Sequence, residues 1–261
     1  MVVIHILGRR SRSAGQLGDG VSMKSHAVVG VLSGCGGAGA SVLSALLAAS
    51  VSAAAVDGTS GSGHVTLIDC DPLGGGIDVL LGCEQVAGPR WRQVRVKGGR
   101  LDAAVLEQSL PRWGQVAFLA ADSSAIEPPA LEQVIGAARE LGPVVLDIPR
   151  WPGPVRSTAI AHSDLLVLVA VAEVRAVTAS RLIIDDLPAD RTVVAVRGRS
   201  RSVSSIHIGE LLDRPVIGEV SYDPALAQSG VLDQRRIGRA SRRLLHSIAE
   251  LIQDDDTSLA A

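Results

Sequence analysis

The order of three segments near the start of the chain limits its fold more than any other feature. An apolar run, AVVGVL at residues 27–32, passes directly into SGCGGAGAS at 33–41, and a helix-like stretch follows over 41–56. A buried strand that ends in a glycine turn and restarts as a helix leaves main-chain N–H groups and a helix N-terminus facing the turn, an anion-binding arrangement. The turn satisfies one phosphate pattern and all but completes another. As G-x-G-x-x-G it offers Gly34, Gly36 and Gly39, a dinucleotide fingerprint. As G-x-x-x-x-G-K-[ST] it offers Gly34, Gly39 and Ser41, with Ala40 in the lysine's place.

Strand-like runs recur at 65–68, 116–119, 143–146, 165–171, 192–196 and, more weakly, 215–220, with helical stretches between them, clearest at 128–141, 174–187 and 237–252. Strands alternating with helices predict a mostly parallel central sheet with right-handed crossovers and helices on both faces, a three-layer α/β/α sandwich. Apolar residues make up 47% of the 261 and aromatics 2%, so the core must be aliphatic, which suits parallel strands covered on both sides. Residues 1–25 read as a Gly/Ser-rich lead-in or linker, 26–253 as one P-loop NTPase-like domain, and 254–261, opening on DDD, as an acidic tail. The N-terminus lacks a positive region ahead of its short apolar run and makes a poor signal peptide. No apolar run approaches the ~20 residues needed to span a bilayer.

The acids decide between the two glycine patterns. A dinucleotide fold wants a ribose-holding acid roughly 20 residues past the glycines, whereas here Asp69 in LIDCDP stands thirty residues beyond Gly39. Asp69 and Asp71, one residue apart, suit a metal and a water better than a ribose. Asp147 closes the strand PVVLD as a Mg²⁺-holding acid of a P-loop enzyme does, and Ser41 stands where the loop hydroxyl completes that ion's shell. The P-loop reading is the stronger, and an NAD(P)-binding enzyme stays open as the alternative.

The segments GCGGAGAS, VTLIDCDPLGGGIDVLLG, PVVLDIPR, DLLVLVAVAEVRAVTAS and SYDPALAQSG, in that order over about residues 27–252, resemble the MinD/ParA class of deviant-Walker ATPases, and more narrowly its CpaE/TadZ-like, septum-site-determining-like members. The resemblance implies ATP (or ADP) and Mg²⁺ held between two protomers. Gly34, Gly36, Gly37, Ala38, Gly39, Ala40 and Ser41 would wrap the phosphates, with Ser41 touching Mg²⁺. Asp69 and Asp71 would order the metal shell and the attacking water, and Asp147 would hold Mg²⁺ through water. It further implies a homodimer and, as partners, a secretion or pilus ATPase or the division machinery, in the cytoplasm or peripherally at the inner face of the cell membrane. Members often carry an N-terminal receiver-like domain, of which this chain would keep at most a remnant.

Two departures qualify what is implied. The family's lysines on either side of the glycines are Cys35 and Ala40 here, and its base-contacting Asn is replaced within VAVRG, at Val196–Arg197. Phosphoryl transfer depends on cations set against the β/γ-phosphates, and losing one such charge typically costs ~10²–10³ in rate. Ground-state binding suffers less, because backbone donors and Mg²⁺ remain. The expectation is weak or conditional nucleotide binding with slow or absent hydrolysis, or a pseudo-NTPase acting through protein contacts alone. Arg150 and Arg175, both just past strand ends, are candidate substitute cations.

Outside the site the residues exclude more than they assign. Arg235–Ile252 holds five arginines and apolar residues at helical spacing, which fits either a membrane- or partner-docking helix or one that closes the sheet. The second basic spot, RGRSR at 197–201, and a net charge of −2 give little support to DNA binding. Trp91, Trp113 and Trp151 read as packing or interface anchors. Cys35, Cys70 and Cys83 have no metal or disulfide spacing, and neither do the scattered histidines.

Overall fold

The computed structural model describes residues 26–56, 64–95, 100–198, 203–233 and 237–254. The lead-in over 1–25, most of the 57–64 loop, residues 199–201 of the second basic spot, Arg235 and Arg236, and the tail beyond Asp254 lie outside them. Among the described residues eight strands form one sheet: β1 (Val28–Ser33), β2 (Val65–Asp69), β3 (Arg112–Trp113), β4 (Val116–Leu119), β5 (Val144–Ile148), β6 (Leu165–Val171), β7 (Thr192–Arg197) and β8 (Val216–Val220). Their order is β3-β4-β2-β5-β1-β6-β7-β8, parallel throughout except for β3 against β4. The α/β/α sandwich anticipated from the sequence is therefore the fold. A dinucleotide fold sets its first two strands side by side; here β5 lies between β1 and β2, and it brings Asp147 level with Asp69 in the register.

The helices are α1 (Ala40–Val56), α2 (Ile77–Leu80), α3 (Ala103–Ser109), α4 (Pro128–Leu141), α5 (Pro154–His162), α6 (Val174–Ile184), α7 (Ser205–Leu212), α8 (Pro224–Ser229) and α9 (Arg239–Asp254). Side chains alternate across a strand, so β1 sends Val29 and Val31 into one core layer, with Leu43 and Leu47 of α1, and Val28 and Leu32 into the other, with Leu131 and Ile135 of α4. Helix α1 is apolar almost all round and lies across β1, β2 and β5. A helix of that kind has to be buried, and its N-terminus is thereby fixed at the centre of the sheet's carboxyl edge.

Helix α9 settles the use of its own apolar stripe. Leu244, Leu245, Ile248 and Ile252 are buried in the core layer of α1, and α9 packs on β8. The face that a membrane-lying helix would immerse is spent on the sheet. Among the described residues no helix is long and apolar enough to cross a membrane.

Candidate functional site

The glycine turn is shaped by contacts on one side and by backbone conformation on the other. Gly34 is buried, and its N–H donates to the carbonyl of Val169 at 2.9 Å. A Cβ there would stand 2.0 Å from the Ser180 hydroxyl of α6, so no larger residue fits. Gly37 and Gly39 adopt φ of 72° and 93°, the left-handed region that favours glycine. Past them the chain enters α1 with its first N–H groups unpaired. Among the described residues the N–H groups of Gly36, Gly37, Gly39, Ala40 and Ser41 have no protein acceptor, and all five residues line one cleft of about 540 Å³.

The acids meet the turn in that cleft. Asp69, Asp71 and Asp147 all line it, with Ser41, Arg150 and Arg197. Asp147 is buried, accepts a hydrogen bond from the Ser44 hydroxyl at 3.4 Å, and has the Ser41 hydroxyl beside it, which works against the rise in its pKa. Asp69 is buried too, but its oxygens are engaged by the main chain: they accept from the N–H groups of Asp71 (3.0 Å), Ile77 (2.8 Å) and Ala121 (3.2 Å). It staples the segment that carries Asp71. Asp71 is only partly buried, and one of its oxygens caps Leu73 N–H at 3.0 Å. Burial raises both inner carboxyls from an ordinary 3.8, Asp69 to about 6 and Asp147 to about 8, with the charge of Asp69 adding to the rise at Asp147. Two adjacent buried carboxyls that resist ionisation lack a counter-charge.

A bound cation would supply that charge. Among the described residues no group of three acid, His or Cys side chains is arranged to hold a metal unaided. The donor set of Ser41 hydroxyl and Asp147 carboxylate, beside a row of unpaired N–H groups, fits an ion that arrives with its own anionic ligands. Of the arginines singled out in the sequence, Arg150 reaches the cleft and stacks on Trp151 at 4.0 Å, whereas Arg175 is exposed on α6 and does not line it. Arg197 does, and its Nη1 donates to the carbonyl of Gly37. In the sequence Arg197 stands only as the residue after the missing Asn and as the first of a basic spot. A second hollow of about 360 Å³ shares Gly39, Val42 and Arg197 with the cleft and extends to Ser221, Tyr222 and Asp223.

The segment GPRWRQV, residues 88–94, braces the acid-bearing loop. The buried indole of Trp91 donates from Nε1 to the carbonyl of Asp69 at 2.7 Å. Arg90 pairs with Asp78 at 2.8 Å, both nearly buried, and donates to the carbonyl of Cys83. Replacing Trp91 with Phe keeps a ring but orphans that carbonyl. It is expected to cost about 1–3 kcal/mol, the penalty for an unpaired buried polar group, read as a lower urea midpoint with an unaltered slope. Burial holds the thiol of Cys35 up and that of Cys70 well up, the latter with three nearby carboxyls adding to it, so both favour the neutral thiol. Cys70 is core filler.

No family model matches the chain. Two uncharacterized proteins of Mycobacterium tuberculosis are each 34% identical to it over 231 residues, covering 84% of this chain and 63% of the relative, so the chain spans less than two thirds of their length. Among solved structures, the MinC:MinD cell division protein complex of Aquifex aeolicus matches with a TM-score of 0.67 at 18% identity, over 87% of this chain and 96% of that one. The septum site-determining protein MinD complexed with Mg-ADP from Pyrococcus horikoshii matches at 0.61 and 17%, over 86% and 96%. A ParA family ATPase of Chlorobium tepidum matches at 0.61 and 16%, over 91% and 99%. At these identities the likeness is one of fold, and the fold is that of the MinD/ParA P-loop ATPases.

Proposed function

We propose, on the premise of that fold, that the chain is a degenerate MinD/ParA-type nucleotide-binding protein. It takes ATP or ADP with Mg²⁺ weakly or conditionally, hydrolyses slowly or not at all, and works as a positioning or scaffolding factor. The observation that carries this reading is the coexistence of unpaired N–H groups at Gly36, Gly37, Gly39, Ala40 and Ser41, and of a Ser41 hydroxyl set beside the Asp147 carboxyl, with Cys35 and Ala40 where lysines would stand.

In this reading the N–H groups of the turn and of α1's first residues take the phosphate oxygens. Ser41 and Asp147 hold Mg²⁺, which when bound neutralises phosphate charge and orients the terminal phosphoryl group. Asp69 keeps the loop in place and Asp71 faces the open side, where an attacking water would be oriented. The second hollow, walled by Val220, Tyr222 and Pro224, receives the base. With Cys35 and Ala40 in the two lysine positions of the turn, the ground state is held better than the transition state, so binding outlasts hydrolysis. A bound nucleotide can still bias a conformational or dimer equilibrium without being consumed. Leu73 and Trp151 at the cleft are 80% and 56% exposed, which favours a protein surface closing there, in a homodimer. A CpaE/TadZ-like role, with a pilus or secretion ATPase or the septum machinery as partner, is the finer form of this proposal, resting on the order of the sequence segments.

The strand order disfavours the NAD(P) alternative, since β5 intervenes where a ribose-holding acid would neighbour the glycine strand. Calorimetric titration with ATP·Mg²⁺ and with NAD(P)H tests the proposal. Heat with the first and none with the second is expected, along with turnover well below about 1 s⁻¹, an ordinary enzymatic rate. Binding of NAD(P)H alone, or turnover at or above that rate, contradicts it. Binding of neither ligand leaves a pseudo-NTPase that acts by protein contacts.

A further inference from the structure

Among the described residues two arginines reach the cleft, and they are held differently. Arg150 follows β5, three residues past Asp147, and its guanidinium lies against the Trp151 ring. Arg197, the last residue of β7, comes from the opposite side of β1 and is bonded to the glycine turn itself, through the carbonyl of Gly37. Its Cδ and Nη1 each stand 3.6 Å from where a Cβ on Gly39 would be. Among the described residues it is also the one charged residue common to the cleft and to the adjoining hollow. A guanidinium presents five N–H donors in a rigid planar fork and stays charged at any relevant pH. Spending one donor on a carbonyl of the turn orients the fork and leaves it capable of further bonds at the place where unpaired N–H groups gather.

We propose that Arg197 is the phosphate-binding cation of this site: it locks the glycine turn through Gly37 and presents its other donors to the phosphate oxygens, in place of the absent lysines. This rests on the nucleotide reading above. The charge thus enters from a neighbouring strand, whereas a lysine at Ala40 or Cys35 would enter from the turn. Approach from the side favours holding the phosphate chain over following a γ-phosphoryl group in flight, in keeping with binding that outlasts hydrolysis.

The test compares binding of ATP·Mg²⁺ and of tripolyphosphate·Mg²⁺ by the whole chain with binding by Arg197→Gln and Arg197→Lys, with melting temperatures for all three. Arg197→Gln is expected to weaken both ligands by roughly 10- to 100-fold, the worth of a charge-assisted hydrogen bond, while melting close to wild type. Arg197→Lys is expected to keep most of the affinity, since an ammonium also binds phosphate as a point charge. Unaltered affinity in Arg197→Gln overturns the proposal, and so does a loss confined to ATP, which would place the side chain on the nucleoside. If Arg197→Gln does not fold, a large loss for tripolyphosphate in a stably folded Arg197→Lys overturns it too, because the charge alone would not then suffice. A wild-type chain that binds neither ligand overturns the nucleotide reading and this inference together.

Discussion

Ala40→Lys is expected to increase ATP hydrolysis by about 10²–10³, the typical worth of a preorganised charge at a reacting phosphoryl group. Ala40 opens α1 and lines the cleft, although its methyl is itself nearly buried. A lysine there has one low-cost course, with its stem along the cleft wall and its ammonium among the phosphates. The gain should fall mainly on kcat, because backbone donors and Mg²⁺ already serve the ground state. Single-turnover measurements on wild type and variant at saturating ATP·Mg²⁺ separate the two. A variant that binds ATP more tightly yet turns over no faster would mean that Asp71 or the loop carrying it is misplaced for chemistry. A variant that neither binds nor turns over better would mean that the turn is not a phosphate site.

Replacing Asp147 with Asn is expected to have opposite effects with and without ligand. Asp69 and Asp147 have folded-state values, about 6 and about 8, above the ordinary 3.8 of an unfolded chain. A group raised on folding contributes its stability in full below the unfolded value and loses it as pH rises through the folded one. The ion-free protein should therefore weaken progressively from about pH 4 to about pH 8, with Asp147 responsible for the upper part of that window. Asp147→Asn removes the carboxyl that resists ionisation while keeping its shape. It is expected to be the more stable protein at pH 8.5 without ligand, by ~2–4 kcal/mol, with the advantage fading near pH 5. Adding ATP·Mg²⁺ should reverse the ranking, since only the wild type can exchange its protons for the cation. Melting curves at both pH values, with and without ATP·Mg²⁺, measure all of this. Equal stability of the two proteins at pH 8.5 would show that Asp147 carries no burial penalty there.

Much of the fold could be read from the sequence, because burial on both faces leaves parallel strands as unbroken aliphatic runs. The runs at 116–119 and 165–171 are β4 and β6 to the residue, and 128–141 is α4. Elements that the runs did not reveal are held by other signals. Helix α3 rests on Asp102, which caps the N–H groups of Ala104 and Val105, and α7 on Ser204, which caps that of His207. Strand β3 is two residues long and antiparallel, too brief for any periodicity. In the site, glycines and strand-end acids announce themselves by type and spacing, and the cleft gathers them. Arg197 could not be found that way. Its place depends on β7 lying beyond β6 from β1, a matter of strand order that no local pattern encodes. The bond from Trp91 to Asp69 likewise joins residues twenty-two apart across a loop.

The central claim is that a turn without either lysine still holds a triphosphate against Ser41 and Asp147. Crystals grown with ATP and Mn²⁺, with data collected for anomalous scattering from the manganese, address it most directly. An anomalous peak is expected within bonding distance of the Ser41 hydroxyl, on the side of Asp147, with phosphate density against the N–H groups of Gly36, Gly37, Gly39, Ala40 and Ser41 and the guanidinium of Arg197. Nucleotide bound elsewhere, or manganese held away from that pair, would contradict it.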